Sequence, residues 1–270
     1  MINNPVFHKE IRRLRLRQSN VARSAIAVIA LVMLGLVYWL VHWGLSNEPG
    51  ASAGRTAWMI LVSVQYLLIC LVAPAIAANA ITQEKEQQTW DMLLHSRLYP
   101  AEIILGKLVA RLIAVVVLIL AFLPLAIYCW FHAAREGVGS YHYITPARFL
   151  AAYGVMFISA VFFTTVGLFL SWLLDRTLYA IMLSYTFVVG GLCIATFLVT
   201  AALSSLVSDY RFFEKCPLMW VNPAAMMSNA LSSDNINDTL FMVYGLLCYV
   251  ILTLILLWRM INGFRRFAYR

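Results

Sequence analysis

Long apolar runs separated by short polar breaks make up most of this chain. A helix needs about 20 mainly apolar residues to cross a hydrocarbon layer. Six blocks meet that length: Ser24–Gly44, Ala57–Ala80, Leu108–Phe131, Phe149–Leu174, Leu178–Leu203 and Leu240–Trp258. Their interiors hold no Asp, Glu or Lys, and the only Arg is Arg111, near one end of the third. Strand-like alternation is missing, which argues against a barrel. The first block is too long for the apolar part of a signal peptide, and five more follow it, so a retained span is expected. The pattern predicts an all-α membrane protein with six transmembrane helices in one domain over residues 1–270.

Three polar stretches carry patterns of their own. The first covers residues 1–20. Asn4 followed by Pro5 is a helix start, with Asn as cap and Pro at the first helical position. Phe7, Ile11 and Leu14 then fall on one narrow stripe, while Lys9, Arg12, Arg13, Arg15 and Arg17 spread around the rest. Such a helix lies along an anionic membrane surface, so lipid is an expected partner. The plainer reading is a basic topology signal without fixed structure.

The second stretch is the connector 81–107. It opens with Glu84, Lys85, Glu86, Gln87 and Gln88, then sets Trp90, Leu93 and Leu94 at helical i, i+3, i+4 spacing. Pro100 can open another helix with Glu102 in its first turn, where the helix dipole favours an acid. That helix is expected to run through Ile103, Lys107 and Arg111 into the third span. The Trp/Leu face needs a cover: headgroups, the rest of the chain, or another protein.

The third stretch, 204–238, mixes charges with apolar runs such as Pro217–Val221 and Ala224–Leu231. These are too short to span and too apolar for a loop in water. A re-entrant or interfacial pair of short helices is expected before the sixth span, in place of an ordinary folded loop.

Composition agrees with lipid as the solvent. Of 270 residues, 63% are hydrophobic and 12% charged, against roughly 25% charged in a soluble domain. Fifteen of the twenty Lys and Arg residues fall in 1–24, 81–111, the turn at Asp175-Arg176 and the tail from Arg259. The other five lie on the opposite side, so both termini are expected in the cytoplasm. Trp39, Trp43, Trp58 and Trp130 near outer ends, with Trp172 and Trp258 near inner ones, fit as interfacial anchors. The net charge of +8 is then mostly topology, and nucleic acid is not an expected partner. Five cysteines without CxxC spacing read as packing residues.

The chemistry of the chain is sparse. Gly106-Lys107 lacks the upstream glycine and following Ser or Thr of a phosphate loop, so no ATP site and no enzymatic activity are expected. Gly50-Ala51-Ser52-Ala53-Gly54 spells a nucleophile elbow, but it lies in an outer loop between two membrane helices, where small residues make a turn. His42, His132 and His142 near the outer face read as isolated interfacial residues, and no metal site is expected. Ion-coupled transporters keep ionised residues in mid-membrane. The spans here offer hydroxyls and amides, which helix–helix hydrogen bonding explains. Energy for any transport would have to arrive from outside the bilayer.

Taken together, the layout resembles the type-2 ABC transporter permeases, membrane subunits of bacterial ABC exporters. That family shows a basic amphipathic helix before span one and a pattern after span two. Here the pattern is carried by Glu84, Glu86, Thr89, Asp91, Leu93, Leu94, Ser96, Leu98, Pro100, Glu102, Ile103, Gly106 and Lys107. Two departures stand out: Gln88 replaces the usual Gly, and the Ser-Pro step is spread over Ser96–Pro100.

The resemblance implies a permease of the bacterial inner membrane that forms a translocation path as a dimer. Its partners would be a second copy or a homologous permease, and two copies of a separate ATPase subunit holding ATP and Mg. The connector would be the coupling helix, docking that ATPase through Glu84, Glu86, Thr89, Trp90, Asp91, Leu93, Leu94, Pro100 and Glu102. Spans two and five would meet between copies, which makes Ser63, Gln65, Tyr66, Gly190, Gly191 and Ala195 candidates for the path or the dimer face. The alternative is a membrane anchor or scaffold that docks a cytoplasmic partner and moves nothing.

Overall fold

A computed structural model describes residues 51–88, 99–136, 144–207, 217–232 and 236–268, together with Gly35, Tyr38, Trp39 and His42. The helix expected around Phe7, Ile11, Arg12, Arg13 and Leu14, most of the first span, and the segment 89–98 lie outside the described residues.

Every described element is helical. In chain order they are α1 (Ala51–Ala78), α2 (Thr82–Glu86), α3 (Pro100–Glu136), α4 (Pro146–Leu173) and α5 (Thr177–Tyr185). A π-helical segment (Thr186–Ala195) follows, then α6 (Thr196–Val207), α7 (Pro217–Trp220), α8 (Pro223–Ser232) and α9 (Ile236–Ala268). Prolines punctuate this order. Pro100, Pro146, Pro217 and Pro223 each open a helix, at the position where a missing N–H costs no bond. Thr145 caps α4 by accepting from the Arg148 N–H at 3.4 Å. Asn222 caps α8 by accepting from the Ala224 N–H at 2.9 Å. Tyr99 and Glu102 close the start of α3, where the Tyr99 N–H donates to the Glu102 carboxylate at 3.3 Å.

Five helical stretches among the described residues are long and apolar enough to cross a membrane. They match the second to sixth blocks read from the sequence, with longer helices. The third apolar block begins at Leu108, and its helix α3 opens at Pro100, as expected of that proline, and runs 37 residues, about 55 Å of helix. Hydropathy marks where hydrocarbon must end, whereas backbone hydrogen bonding continues into polar flanks such as Glu102 to Lys107. The fifth block crosses as one continuous rod made of α5, the π segment and α6.

Helix α4 is the centre of the fold. It packs against α1, α3, α5, α8 and α9, and most of its length is buried. Gly167 makes this possible, since a Cβ there would meet the Pro74 carbonyl at 2.5 Å and the Ala77 side chain at 2.9 Å. On the opposite face of α4, Phe162 stacks on Tyr249 of α9 with ring centroids 4.4 Å apart. The rod of α5, π segment and α6 is the least covered, with Leu178, Met182, Phe187, Ile194, Phe197 and Leu198 exposed. Trp58, expected as an interfacial anchor, is fully buried in the core of α1, α3 and α4.

Candidate functional site

The connector leaves α1 at one end of the bundle, and its described part is held there by polar bonds. The backbone N–H groups of Ile81 and Thr82 both donate to the Ser171 hydroxyl at 2.9 Å. Lys107 on α3 is fully buried; its ammonium donates to the Ala80 carbonyl at 2.9 Å and pairs with the Glu84 carboxylate at 2.8 Å. Burial without such partners would be prohibitive for either charge.

The next two residues finish two other helices. A helix C-terminus leaves carbonyls without partners and carries partial negative charge. Lys85 donates to the Trp172 carbonyl at 2.8 Å, the Leu174 carbonyl at 3.0 Å and the Asp175 carboxylate at 3.1 Å, at the end of α4. A helix N-terminus has the opposite need. The first N–H of α5, that of Thr177, donates to the Glu86 carboxylate at 2.8 Å, where the capping position Arg176 provides no side-chain bond. Glu86 sits in the exposed connector beyond the apolar run, and that backbone hydrogen bond holds its carboxyl below the usual carboxylate range. The two charges are matched in sign to the two helix ends.

Gln88 ends this turn with φ 56°, in the left-handed region. Non-glycine residues enter that region at a cost of about 1–2 kcal/mol. This is the position where the resembled pattern has glycine. Gln88→Gly is therefore expected to leave thermal stability in detergent unchanged or slightly higher, while the β-branched Gln88→Val, worse suited to this region than Gln, lowers it.

Several other sequence candidates find partners inside the protomer. Gln65 is buried, donating to the Ile119 carbonyl at 3.0 Å and accepting from the Tyr153 hydroxyl at 3.4 Å. Tyr66 is buried against the Ser159 hydroxyl at 3.0 Å. Both were expected on a path or dimer face; of that trio only Ser63 faces outward, on one stripe with Ile60, Leu67 and Leu71. The reason is the heptad-like phase of α1, which turns positions 61, 62, 65, 66 and 69 together into the core. Gly191 and Ala195 are exposed and Gly190 is half-buried, all within the π segment. A Cβ at either glycine would meet only Thr186, at 3.8 and 3.9 Å, so among the described residues no neighbouring helix presses on them. The interior hydroxyls also differ from expectation. Thr164, Thr165, Thr186, Thr196 and Thr200 bond to the carbonyl four residues earlier in their own helix. Glu102 is exposed beside Tyr99, and Thr89, Trp90, Asp91, Leu93 and Leu94 lie outside the described residues.

A second polar junction sits between α6 and α9. The turn joining α7 and α8 presents Asn222, whose amide donates to the Cys193 carbonyl at 3.1 Å and the Thr196 hydroxyl at 2.8 Å. Tyr249 donates to the Val221 carbonyl of the same turn at 2.9 Å. Gly245 lets the turn approach, because a Cβ there would collide with the Trp220 carbonyl. Sequence reading missed Lys85, Ser171, Asp175, Thr177, Asn222 and Tyr249. Two signals were available: the alternating charges of Glu84-Lys85-Glu86, and Asn222-Pro223, which repeats the Asn-Pro start at residues 4–5.

These features define a multi-pass α-helical membrane protein with a structured polar connector between α1 and α3. The sequence pattern of the ABC-2 family transporter proteins matches residues 6–267. The chain belongs to that family, and is thus a permease subunit of an ABC transporter, a class that works with an ABC ATPase. No curated protein sequence matches the chain.

Proposed function

We propose that this permease is the membrane half of an ATP-driven exporter in the bacterial cytoplasmic membrane, with both termini in the cytoplasm. Two copies, or one copy and a homologous permease, form the translocation path and carry two ATPase subunits that bind ATP and Mg. The segment around Trp90, Leu93 and Leu94 is the coupling helix, and the outer pair α7 and α8 dips into the membrane. Tyr249, which holds the tip of that pair, lies nine residues inside the span that begins at Leu240, about 13 Å along the helix. Spans two and five meet between copies through Ser63, Gly191 and Ala195. The observation that carries the reading is the family match over nearly the whole chain. The bonded frame on both sides of the coupling segment supports it. Chemistry on ATP belongs to the partner, since the chain has no phosphate loop.

Affinity purification in mild detergent tests the reading: an ABC ATPase is expected to co-purify in equal numbers with the permease. Recovery of a cytoplasmic protein that does not hydrolyse ATP would favour the scaffold instead. Orientation has its own test. Reporters after Arg270 should read cytoplasmic, and reporters near Gly50 or Asp234 should read outside. A cytoplasmic signal at Asp234 would sink the six-span topology.

A further inference from the structure

The connector does more than display a docking face. Its first turn supplies the C-terminal cap of α4 and the N-terminal cap of α5 from two adjacent residues, Lys85 and Glu86. Ser171 and Thr82 extend the same seam, and the Thr177 hydroxyl donates to the Thr82 hydroxyl at 3.1 Å. On the other side, Glu84 and the Ala80 carbonyl are fastened to Lys107 at the base of α3. The α4–α5 turn itself is short, three residues between Leu173 and Thr177, and the Lys85–Glu86 pair bonds to both of its ends. Helix ends that depend on a neighbouring segment for their caps lose those bonds if the segment moves away.

We propose that Lys85 and Glu86 are positioning residues that transmit movement of the coupling segment into spans four and five. This rests on the docking reading above. The geometry gives the transmission a direction. Lys107 and Glu84 fix the connector to α3, so α3 is the pivot. Gln88, in its left-handed turn, sets the angle at which the docking segment leaves. A push on that segment is carried through Gln88 and Gln87 onto the charged pair at the end of α2, and from there onto the end of α4 and the start of α5. Among the five described spans, span five is the least buried, and so the one best able to follow.

The test uses the complex with its ATPase in lipid nanodiscs. A single Val199→Cys in a cysteine-free background reports on the outer half of span five by its rate of maleimide labelling, with and without ATP. Thr177→Pro is the sharpest variant. It deletes the N–H that Glu86 accepts, yet proline suits the first helical position and Arg176 before it is already extended. Lys85→Met removes the α4 cap, and Lys85→Arg is the conservative control. The wild-type labelling rate should change with ATP. Thr177→Pro and Lys85→Met should keep the ATPase bound and hydrolysing, but their ATP-dependent change should shrink about tenfold. Lys85→Arg should retain it, which a merely structural loss would not distinguish. A wild-type response in both variants overturns the proposal, as does loss of the ATPase from them, which would make the pair part of the docking surface. A wild type that responds to no nucleotide overturns it too. A wild type that retains no ATPase at all removes the docking reading and this one together.

Discussion

Glu84→Leu is expected to destabilise the chain by about 3–5 kcal/mol, the cost of leaving one partner of a buried ion pair alone. Lys107 is fully buried and Glu84 is 4% exposed, with 2.8 Å between their charged atoms. Removing the carboxylate leaves the buried ammonium bonded to the Ala80 carbonyl but without the counter-charge of Glu84. The pair is not stabilising in the same measure, because both charges had to leave water to form it. Glu84→Leu combined with Lys107→Leu should therefore recover most of the loss. The recovery stays incomplete, because the Ala80 carbonyl then lacks its donor, worth about 1–3 kcal/mol when buried. Thermal unfolding in detergent, followed by the reactivity of the buried thiols of Cys70 and Cys129, measures all three variants. A double variant no better than Glu84→Leu would show that the pair is held for another reason.

Leu94→Asp is expected to strip the ATPase from the permease, or to abolish its stimulation, while the permease still inserts. The spacing of Trp90, Leu93 and Leu94 predicts one apolar face of a short helix. Each large side chain contributes about 1.5–3 kcal/mol when well buried, and a few central residues dominate such contacts. A carboxylate in the middle of that face would lose its water without gaining a partner. Substitution of Asp234, on the outer side of the proposed topology, should leave ATPase binding untouched. Co-purification and transport at the wild-type rate in Leu94→Asp would remove the coupling-helix assignment and favour the scaffold.

How far the sequence could be read depended on the kind of signal each feature leaves. The five long apolar helices among the described residues are visible because transfer into hydrocarbon is nearly additive along the chain. The helix opened by Pro100 is visible for a similar reason, as capping is local. Residues that bridge distant segments leave no such trace. Lys85 and Asp175 are ninety positions apart, and each alone reads as a solvated charge. Gln65 and Tyr66 look like polar path residues until the phase of α1 turns them inward. Glu84 was matched to a family pattern, and its partner Lys107 belongs to that same pattern, so a pair was spelled out there without its distance. The glycines show the limit most clearly. Gly190-Gly191 invited a reading of close approach, but the close approaches occur at Gly167, Gly245 and Gly263. A lone glycine gives no sign of what faces it.

The π-helical stretch of span five has a geometric consequence for the whole rod. Its buried positions are Ala180, Ser184, Val188 and Thr200, a repeat of four and its multiples. An unbroken α-helix advances roughly 100° per residue, so over twenty residues it would place Thr200 about 200° around the axis from Ala180. Each π bond reaches one residue further than an α bond and slows that rotation. Ten such residues return Thr200 to the side of Ala180. The rod of α5, π segment and α6 therefore keeps one azimuth toward the rest of the described chain from its first turn to its last. The opposite side is a straight strip and not a spiral, so a neighbouring helix or acyl chain can follow it without winding.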